Sequence, residues 1–466
     1  MKKLVILPII LLILFSAQAQ VNNSLRYSSH FRSLGALSMP SYMGDDIKNA
    51  QVYLGGVYAY GSNTALSFDL VNDFLQTDDL GNDGDLLNEI LKETGNSELI
   101  GAGVITRPIG VFAKVNNNEG SEMVTFALGT ETYAMMSMEY NSTLLDLVWN
   151  GNKQFAGQRI QTGPLKLNTY VNTEYFIAAA APVYKSESLT LKPGVRLRFI
   201  NSVASVYMPK GDLTLDFSDT TGRSIIVEPE YEYNQALAFG EDFDNSDDLS
   251  VANLFNTGAG FGMGVDLSMT ATIQEKLNIT AGISDIGSIR YKKNTKSYFR
   301  SESYTYEGVE VDIIDLKDNQ EIDYDPGDII ESLEPDSSFS PYTMPLATRL
   351  IIQGEYQTGR NVSNDSKEAE YFKHRVFFTY VQGFKNHVNS TTRPFVSAGY
   401  SYNLANILNV GASASLGGFN KFAFGPFFSV RAGFFRLGFG SNNLLPLLSP
   451  TMGTGADFNF SMALSF

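Results

Sequence analysis

The chain has 466 residues and no cysteine, which excludes disulfides, thiol chemistry and thiolate-bound zinc. Its formal net charge of -16 disfavours a nucleic-acid partner. Phenylalanine, tyrosine and glycine are abundant beside a single tryptophan, a mixture typical of strands joined by tight turns. The length allows two or three ordinary domains or one large all-β unit.

Residues 1–19 have the pattern of a secretory signal peptide. Two lysines precede an apolar run that extends to Phe15, and the small residues Ala17 and Ala19 follow it. The pattern predicts cleavage before Gln20. A retained membrane anchor is a weaker alternative because the apolar run is short. The remaining chain has no apolar run of transmembrane-helix length, so export predicts either a soluble periplasmic protein or a barrel.

Residues 51–466 contain repeated segments in which apolar and polar residues alternate. The clearest is FGMGVDLSMTATI, in which every second residue from Phe261 to Ile273 is apolar. Such alternation places one face of a strand against an apolar phase, and this segment is long enough to cross a bilayer at a tilt. Further segments of this kind are 51–60, 123–133, 165–177, 189–199, 277–283, 346–356, 376–384, 393–402, 407–416, 422–430 and 435–440. Together they predict an all-β chain that forms a single transmembrane antiparallel β-barrel of about 14 strands, within a range of roughly 12–16.

Acidic segments interrupt these strands. Residues 75–85, 241–248 and 315–336 are too polar to span lipid, and they predict acidic extracellular loops. Loose recruitment of divalent cations that bridge to lipopolysaccharide phosphates is a further hypothesis for these loops. Two short helices are predicted at 84–95 and 141–151, because apolar residues recur there at helical spacing and each segment ends with glycine.

The chain ends in a strand that alternates up to its last residue. The apolar residues of this strand are Phe458, Phe460, Met462, Leu464 and Phe466. This ending is similar to the C-terminal sorting signal of outer-membrane barrels, which implies recognition by the barrel-assembly machinery. An amphipathic strand at the end of a periplasmic β-sandwich is the alternative.

Several motifs spread over most of the chain are shared with a known family. They are LVWNGN (147–152), LKLNTYVNTEYFIAAAAPV (165–183), LKPGVRLRFINSVASVY (191–207), GDLTLDF (211–217) and ISDIGSIRY (283–291), together with the final third of the chain. These motifs resemble a large family of uncharacterised Gram-negative outer-membrane β-barrels, a domain of unknown function distantly similar to FadL-type long-chain fatty-acid transporters. One departure is LSMPSYMGDD near the N-terminus, where such proteins usually have an Asn-Pro-Ala stretch.

The resemblance also bears on residues 20–50, which precede the first regular strand. In FadL-type transporters a comparable N-terminal segment lies inside the barrel, so the resemblance implies a lumenal plug here. A disordered periplasmic tail is the open alternative.

Charged residues on the strands are expected inside the barrel, because a charge that faces lipid at mid-membrane is costly. Strand parity points these side chains into the lumen: Arg196, Arg198, Asp266, Arg349, Glu355 and Arg431, with Glu174 as a further candidate. Two interpretations stay open. The charges either pair with one another or with a plug, or they line a polar path.

No catalytic residue, metal site or cofactor is predicted. His387 and Ser390 are close in sequence, but a turn rich in serine, threonine and asparagine is more often simply solvated. Asp79 begins a segment that partly fits a calcium loop, whereas Gly81 and Ile90 stand where that loop needs oxygen ligands. We therefore do not expect an enzyme.

Passive FadL-like passage of a small molecule, with a hydrophobic one as a candidate, is the leading function that the resemblance implies. The alternative is a structural or assembly barrel that acts as scaffold or partner of a secretion or surface complex. The expected partners are outer-membrane lipids, lipopolysaccharide and the barrel-assembly machinery, without nucleic acid. The identity of any protein partner is open.

Overall fold

Antiparallel strands close into a barrel. The computed structural model describes residues 24–44, 46–76, 84–218, 224–238, 258–306, 336–361 and 371–466. In this part of the chain fourteen barrel strands each pair with the next one, and the last strand pairs with the first, with Phe460 opposite Val57. The predicted all-β barrel of about 14 strands is therefore confirmed. No helix among the described residues is long and apolar enough to cross a membrane.

The barrel strands are labelled in chain order. They are β1 (Ala50–Asn63), β2 (Glu98–Asn116), β3 (Glu122–Tyr140), β4 (Lys166–Ala180), β5 (Leu189–Asp216), β6 (Gly260–Ile273), β7 (Leu277–Tyr291), β8 (Arg349–Asn361), β9 (Tyr371–Gly383), β10 (Phe395–Leu404), β11 (Leu408–Gly417), β12 (Asn420–Ala432), β13 (Phe435–Gly440) and β14 (Gly455–Ser465). Because successive strands are antiparallel neighbours, the chain runs up and down around the barrel.

Alternation of side chains explains why these segments form the wall. In β6, Phe261, Met263 and Leu267 are 60%, 52% and 47% exposed on the outside, whereas Asp266 and Ser268 are buried on the inside. The other barrel strands follow the same rule, so the outer surface is largely apolar.

The two ends of the barrel differ in their connections. At the end that contains Ala50 and Ser465, here called the turn end, short turns join β2 to β3, β4 to β5, β6 to β7, β10 to β11 and β12 to β13. At the opposite end, the loop end, the connections carry α1 (Phe68–Gln76), α2 (Gly84–Glu93), α3 (Ser142–Asn150) and α4 (Leu445–Leu448). The two helices predicted from the sequence correspond to α2 and α3, and the structure adds α1 and α4.

Short strands extend the wall. Beyond the loop end, β5 pairs with Ile225–Leu237, which pairs in turn with Thr295–Arg300 and Tyr304–Tyr306. The remaining short strands are Arg159–Gln161 and Tyr184–Lys185 beside β5, Asp336–Ser338 beside Thr295–Arg300, and Tyr342–Pro345 beside β7. Several predictions lie outside the described residues: the signal peptide at 1–19, and residues 77–83, 241–248 and 315–335 of the acidic segments.

Residues 24–44, here called the plug, lie inside the barrel. They form three 3-10 helices, Ser24–Tyr27, Arg32–Leu37 and Pro40–Tyr42. Leu25, Tyr27 and Phe31 are completely buried. The ring of Tyr27 stacks on Phe377 of β9 with 3.8 Å between the ring centroids. The plug therefore packs against the inner wall, and it leads directly into β1.

Candidate functional site

The lumen has two chemically different halves. The turn-end half holds the plug and buried charged side chains. The half nearer the loop end holds an apolar and aromatic group, here called the lumen cluster. Its buried members include Tyr58, Tyr60, Leu99, Ile105, Met135, Ile200, Ile289, Tyr291, Met344 and Phe419.

A network of eight buried charges crosses the lumen between these halves. Its cations are Arg107, Arg196, Arg198 and Arg349, and its carboxylates are Glu131, Glu174, Asp266 and Asp285. Glu131 accepts from both Arg107 at 2.8 Å and Arg196 at 2.6 Å. Since the network has four charges of each sign, it is neutral as a whole, which a buried set of ions requires.

Arg198 is the most connected member of this network. Its guanidinium lies 3.1 Å from Glu174, 3.3 Å from Asp266 and 2.8 Å from Asp285. Asp285 also pairs with Arg349. Three carboxylates thus share one guanidinium. They link β5 to β4 on one side and to β6 and β7 on the other.

A β-bulge turns Asp285 toward this network. The register of β7 against β6 shifts between Ile283 and Ile286, and Asp285 has a φ of 61°. Regular alternation would put Asp285 on the outer face beside Ile283, which is 39% exposed. Because the bulge inserts extra residues, the carboxylate instead faces inward.

One set of contacts attaches the plug to the wall through its backbone. The charged wall side chains that donate to its carbonyls and to that of Asp46, just after it, are here called the wall cations. They are Lys114 to Gly44, Lys192 to Met43, Arg196 to Leu37, Arg375 to Tyr27, and Arg436 to both His30 and Asp46. Charged donors make stronger hydrogen bonds than neutral ones, so these contacts hold the plug without a specific plug side chain.

Plug side chains add a second and more numerous set of polar contacts. Arg32 pairs with Glu355 of β8 at 2.6 Å, and Arg26 donates to Gln353 at 2.6 Å. Ser41 accepts from Ser268 of β6 at 2.8 Å. The plug is thus held by hydrogen bonds and one buried ion pair, without any covalent link.

The wall and the plug leave little space where they meet. A cavity of about 30 Å³ lies between Leu37 and Ser38 of the plug and the network residues Arg107, Glu174 and Asp285. This volume holds about one or two water molecules.

An apolar groove of about 740 Å³ lies on the outer surface toward the loop end. Small outward-facing residues line its floor, including Ala59, Ala102 and Ala134. Leu447 of α4 and Phe458 of β14 form part of its sides. The small side chains explain the depression, because larger neighbours on β2 and β14 stand above them.

The same groove touches residues whose side chains point inward. Tyr60, Met135 and Tyr170 line it, and all three belong to the lumen cluster or pack against it. Only the strand backbone and these side chains therefore separate the outer groove from the apolar half of the lumen.

The structure brings four of the predicted lumen residues together and separates two. Arg196, Arg198, Asp266 and Arg349 all belong to the network. Glu355 lies apart from them and pairs with Arg32 of the plug. Arg431 lies at the turn end of β12, partly exposed, where its Nε donates to the Gly433 carbonyl at 3.1 Å.

Sequence reasoning missed other charged groups of the lumen. Glu131 and Arg436 alternate with outward-facing neighbours, so the parity of β3 and β13 was sufficient to find them. Arg107 was obscured because the register of β2 shifts between Thr106 and Ile109. Asp285 was hidden by its bulge.

The C-terminal strand closes the barrel. Phe458, Phe460, Met462 and Leu464 lie on its outer face, and each is partly or largely exposed. The ring of Phe466 stacks on that of Phe434 with 6.2 Å between the ring centroids. These positions fit an apolar surround, while recognition by the assembly machinery stays a prediction.

His387 and Ser390, which are close in sequence, do not hydrogen-bond to each other through their side chains, whereas His30 Nδ1 lies 2.8 Å from Ser429 Oγ. His387 Nδ1 accepts from the Val388 amide at 2.8 Å, whereas His387 Nε2 and Ser390 Oγ lack a hydrogen-bond partner. Burial of His387 in the loop-end connection, helped by Lys385, lowers its pKa from 6.5 to about 4. Among the described residues, no group of three or more acidic or histidine side chains is arranged to hold a metal ion.

A closed barrel with an apolar exterior and an occupied polar lumen has the architecture of an outer-membrane β-barrel. The chain belongs to a family of unknown function, DUF5723, whose family model matches residues 40–442. This confirms the family expected from the sequence motifs. No curated protein matches the sequence.

Solved structures of other barrels are similar over most of the chain. The toluene transporter TodX of P. putida has 11% identity and a TM-score of 0.43, with 92% of this chain and 94% of that chain covered. The toluene transporter TbuX of Ralstonia pickettii has 9% identity and a TM-score of 0.41, with 92% of both chains covered. The translocator domain of the autotransporter NalP from Neisseria meningitidis has 9% identity and a TM-score of 0.38, with 95% and 100% covered. Likeness at this level carries no argument about what the chain binds.

Proposed function

We propose that the protein is an outer-membrane barrel through which small, largely apolar molecules pass without energy input, and that the plug is its gate. The observation that carries the proposal is the apolar groove that shares its wall with the lumen cluster. A small apolar molecule in the groove meets Tyr60, Met135 and Tyr170, and Asp457 is the one charged residue of this lining. Apolar lining with few polar groups is typical of small-molecule sites.

The outer surface supports placement in a membrane. Large apolar side chains are exposed on strands all around the barrel, including Val104, Leu128, Ile177, Met263, Ile352, Phe378, Val410 and Phe428. In water, such a surface would far exceed the apolar patches of soluble monomers. The turn end then faces the periplasm, and the loop end faces outward, as in barrels with short periplasmic turns.

The attachment of the plug supports a gating role. Hydrogen bonds from the wall cations to backbone carbonyls can be exchanged for hydrogen bonds to water when the plug moves. The ion pair between Arg32 and Glu355 can be hydrated in the same way. The network between the halves is neutral by itself, so it need not break when the plug leaves.

A structural or assembly role is the second candidate. The observation that favours it is the small volume, about 30 Å³, of the cavity between the plug and the network. A barrel that serves as a scaffold needs no path at all. The two candidates therefore differ in whether the plug must move.

A reversible crosslink between plug and wall tests whether passage requires the plug to move. Ser41 of the plug and Ser268 of β6 have hydroxyl oxygens 2.8 Å apart, and the chain has no cysteine of its own. In the double variant S41C/S268C, oxidation should join the plug to the wall. Bacteria that express the reduced variant should take up the apolar dye N-phenylnaphthylamine several-fold faster than cells without the protein.

Oxidation should return the uptake rate to that of cells without the protein, and a reductant should restore it. The single variant S41C serves as the matched control and should not respond to oxidant. Equal uptake with and without a folded barrel would reject passage and favour the scaffold. Fast uptake that oxidation leaves unchanged would reject the plug as the gate.

A further inference from the structure

Two arginines face each other at the turn end of the barrel. Arg431 of β12 and Arg436 of β13 are direct cross-strand partners in the hairpin that joins these strands. Like charges directly opposite each other on one face of a sheet are destabilising. Such an arrangement is retained at little cost only where negative charge lies close to both groups.

The described residues supply little of that negative charge. The one carboxylate within 4.0 Å of Arg436 is that of Asp46, at 3.6 Å, and Asp46 also accepts from Ser33. No described carboxylate lies within that distance of Arg431, whose Nε donates to the Gly433 carbonyl. Among the described residues, Arg436 therefore has one carboxylate, which is already engaged, and Arg431 has none within that distance.

Arg436 also has unused hydrogen-bonding capacity. Its side chain is only 5% exposed. Its two terminal nitrogens donate to the carbonyls of His30 and Asp46 and to Ser465 Oγ, at 2.7 to 2.9 Å. Its Nε, however, is buried without a partner. A buried donor without a partner costs free energy unless a ligand or water satisfies it.

The exposed member of the pair is Arg431, which is reachable from the turn end. Arg431 is partly exposed at the rim, and Arg436 lies behind it in the wall. The exposed rings of Phe434 and Phe466 stack beside this hairpin. A positive group flanked by exposed aromatic rings is the combination found at membrane–water interfaces.

We propose that Arg431 and Arg436 form a binding site for a phosphate-type oxyanion at the turn end. Arg431 contributes its guanidinium fork, and Arg436 contributes its Nε and its buried charge. An oxyanion there separates the two positive charges and accepts hydrogen bonds that the protein leaves unmade. The group is carried either by a free anion or by the headgroup of a phospholipid.

Calorimetric titration of the full-length protein tests the site. Inorganic phosphate should bind the detergent-solubilised protein, while chloride at the same ionic strength should not compete. The variant R431Q removes the exposed member of the pair and should weaken phosphate binding about tenfold or more, as loss of a charge-assisted bidentate contact predicts. The matched control R360Q changes a turn-end arginine that already pairs with Glu275, and it should bind phosphate like the unaltered protein.

A second experiment tests a lipid headgroup as the ligand, with the protein in lipid nanodiscs. Protection of the 431–436 hairpin from hydrogen exchange should rise in phosphatidylglycerol discs relative to detergent if a headgroup is the ligand, and only with added phosphate if a free anion is. The condition that raises the protection, phosphatidylglycerol discs or added phosphate, identifies the ligand as a headgroup or a free anion. Phosphate binding that is equal in R431Q and the unaltered protein, or absent together with any lipid effect, overturns the proposal.

Discussion

The two halves of the lumen are filled by different means. In the turn-end half, wall cations hold a separate segment through its backbone carbonyls. In the loop-end half, side chains of the wall itself pack together, as in the stacking of Tyr291 on Tyr342. In the function proposed above, the first filling leaves the wall and is replaced by water, whereas the second cannot leave without unfolding the strands. We therefore expect movement of the plug and stability from the lumen cluster and the network.

The largest effect on stability is expected from the network between the halves. The substitution Arg198→Met leaves Glu174, Asp266 and Asp285 short of a shared cation, and it should lower the free energy of unfolding by about 3–5 kcal/mol. Urea titration of the barrel in lipid vesicles measures this value. Lys210→Met is the matched control, because Lys210 and Glu230 form an exposed pair and its loss should not change the midpoint. Equal midpoints for both variants would contradict the role of Arg198.

One buried tyrosine in each half of the lumen allows the two halves to be compared directly. Tyr291→Ala in the lumen cluster should lower the free energy of unfolding by about 3 kcal/mol or more, because it leaves a cavity in a packed wall. Tyr27→Ala removes an equally buried ring from the plug. It should change the free energy of barrel unfolding much less, and mainly increase maleimide labelling of a cysteine at position 41. Similar unfolding midpoints for the two variants would show that the plug is as integral to the barrel as the lumen cluster.

A glycine of the wall marks where the plug comes closest. A Cβ atom on Gly194 would lie 2.5 Å from the carbonyl carbon of Pro40, so Gly194→Val should push the plug away from β5. We expect faster labelling at position 41 and a loss of about 1–3 kcal/mol in the free energy of unfolding. Gly354→Val is the control, since a Cβ atom added there would meet nothing within 4 Å beyond its chain neighbours. Labelling that is unchanged in Gly194→Val would mean that the strand yields and the plug stays.

The smallest effect should be confined to the loop end. The pKa of His387 in the folded protein is about 4, lowered by burial from 6.5, so protonation favours the open form of its connection. The stabilising contribution of neutral His387 is present above pH 6.5 and is lost as the pH falls toward 4. The protection of residues 384–394 from hydrogen exchange, expressed relative to the intrinsic exchange rate at each pH, should therefore fall over this range, and His387→Asn should remove the dependence. Protection that does not vary with pH would contradict the assignment.

Local alternation was enough to predict the wall but not what fills it. The faces of β6 and the inward position of Asp266 follow from a period of two, which depends only on neighbouring residues. The position of Asp285 does not, because one bulge reverses the parity that the sequence suggests. The attachment of the plug could not be predicted from the sequence either, because the wall cations bind backbone carbonyls, which every residue possesses. The short segment FRLGFG did carry a readable signal for Arg436, as its alternate residues are apolar.

The position of the plug at the start of β1 has a consequence for the order of assembly. β1 and β14 form the seam that closes the barrel, and β14 follows the other thirteen barrel strands in chain order. A segment enclosed on all sides cannot thread easily into a finished cylinder through its turn end. We expect the plug to meet Arg436 and its neighbours while the sheet is still open, so that the nascent wall curls around it and the final strand seals it in.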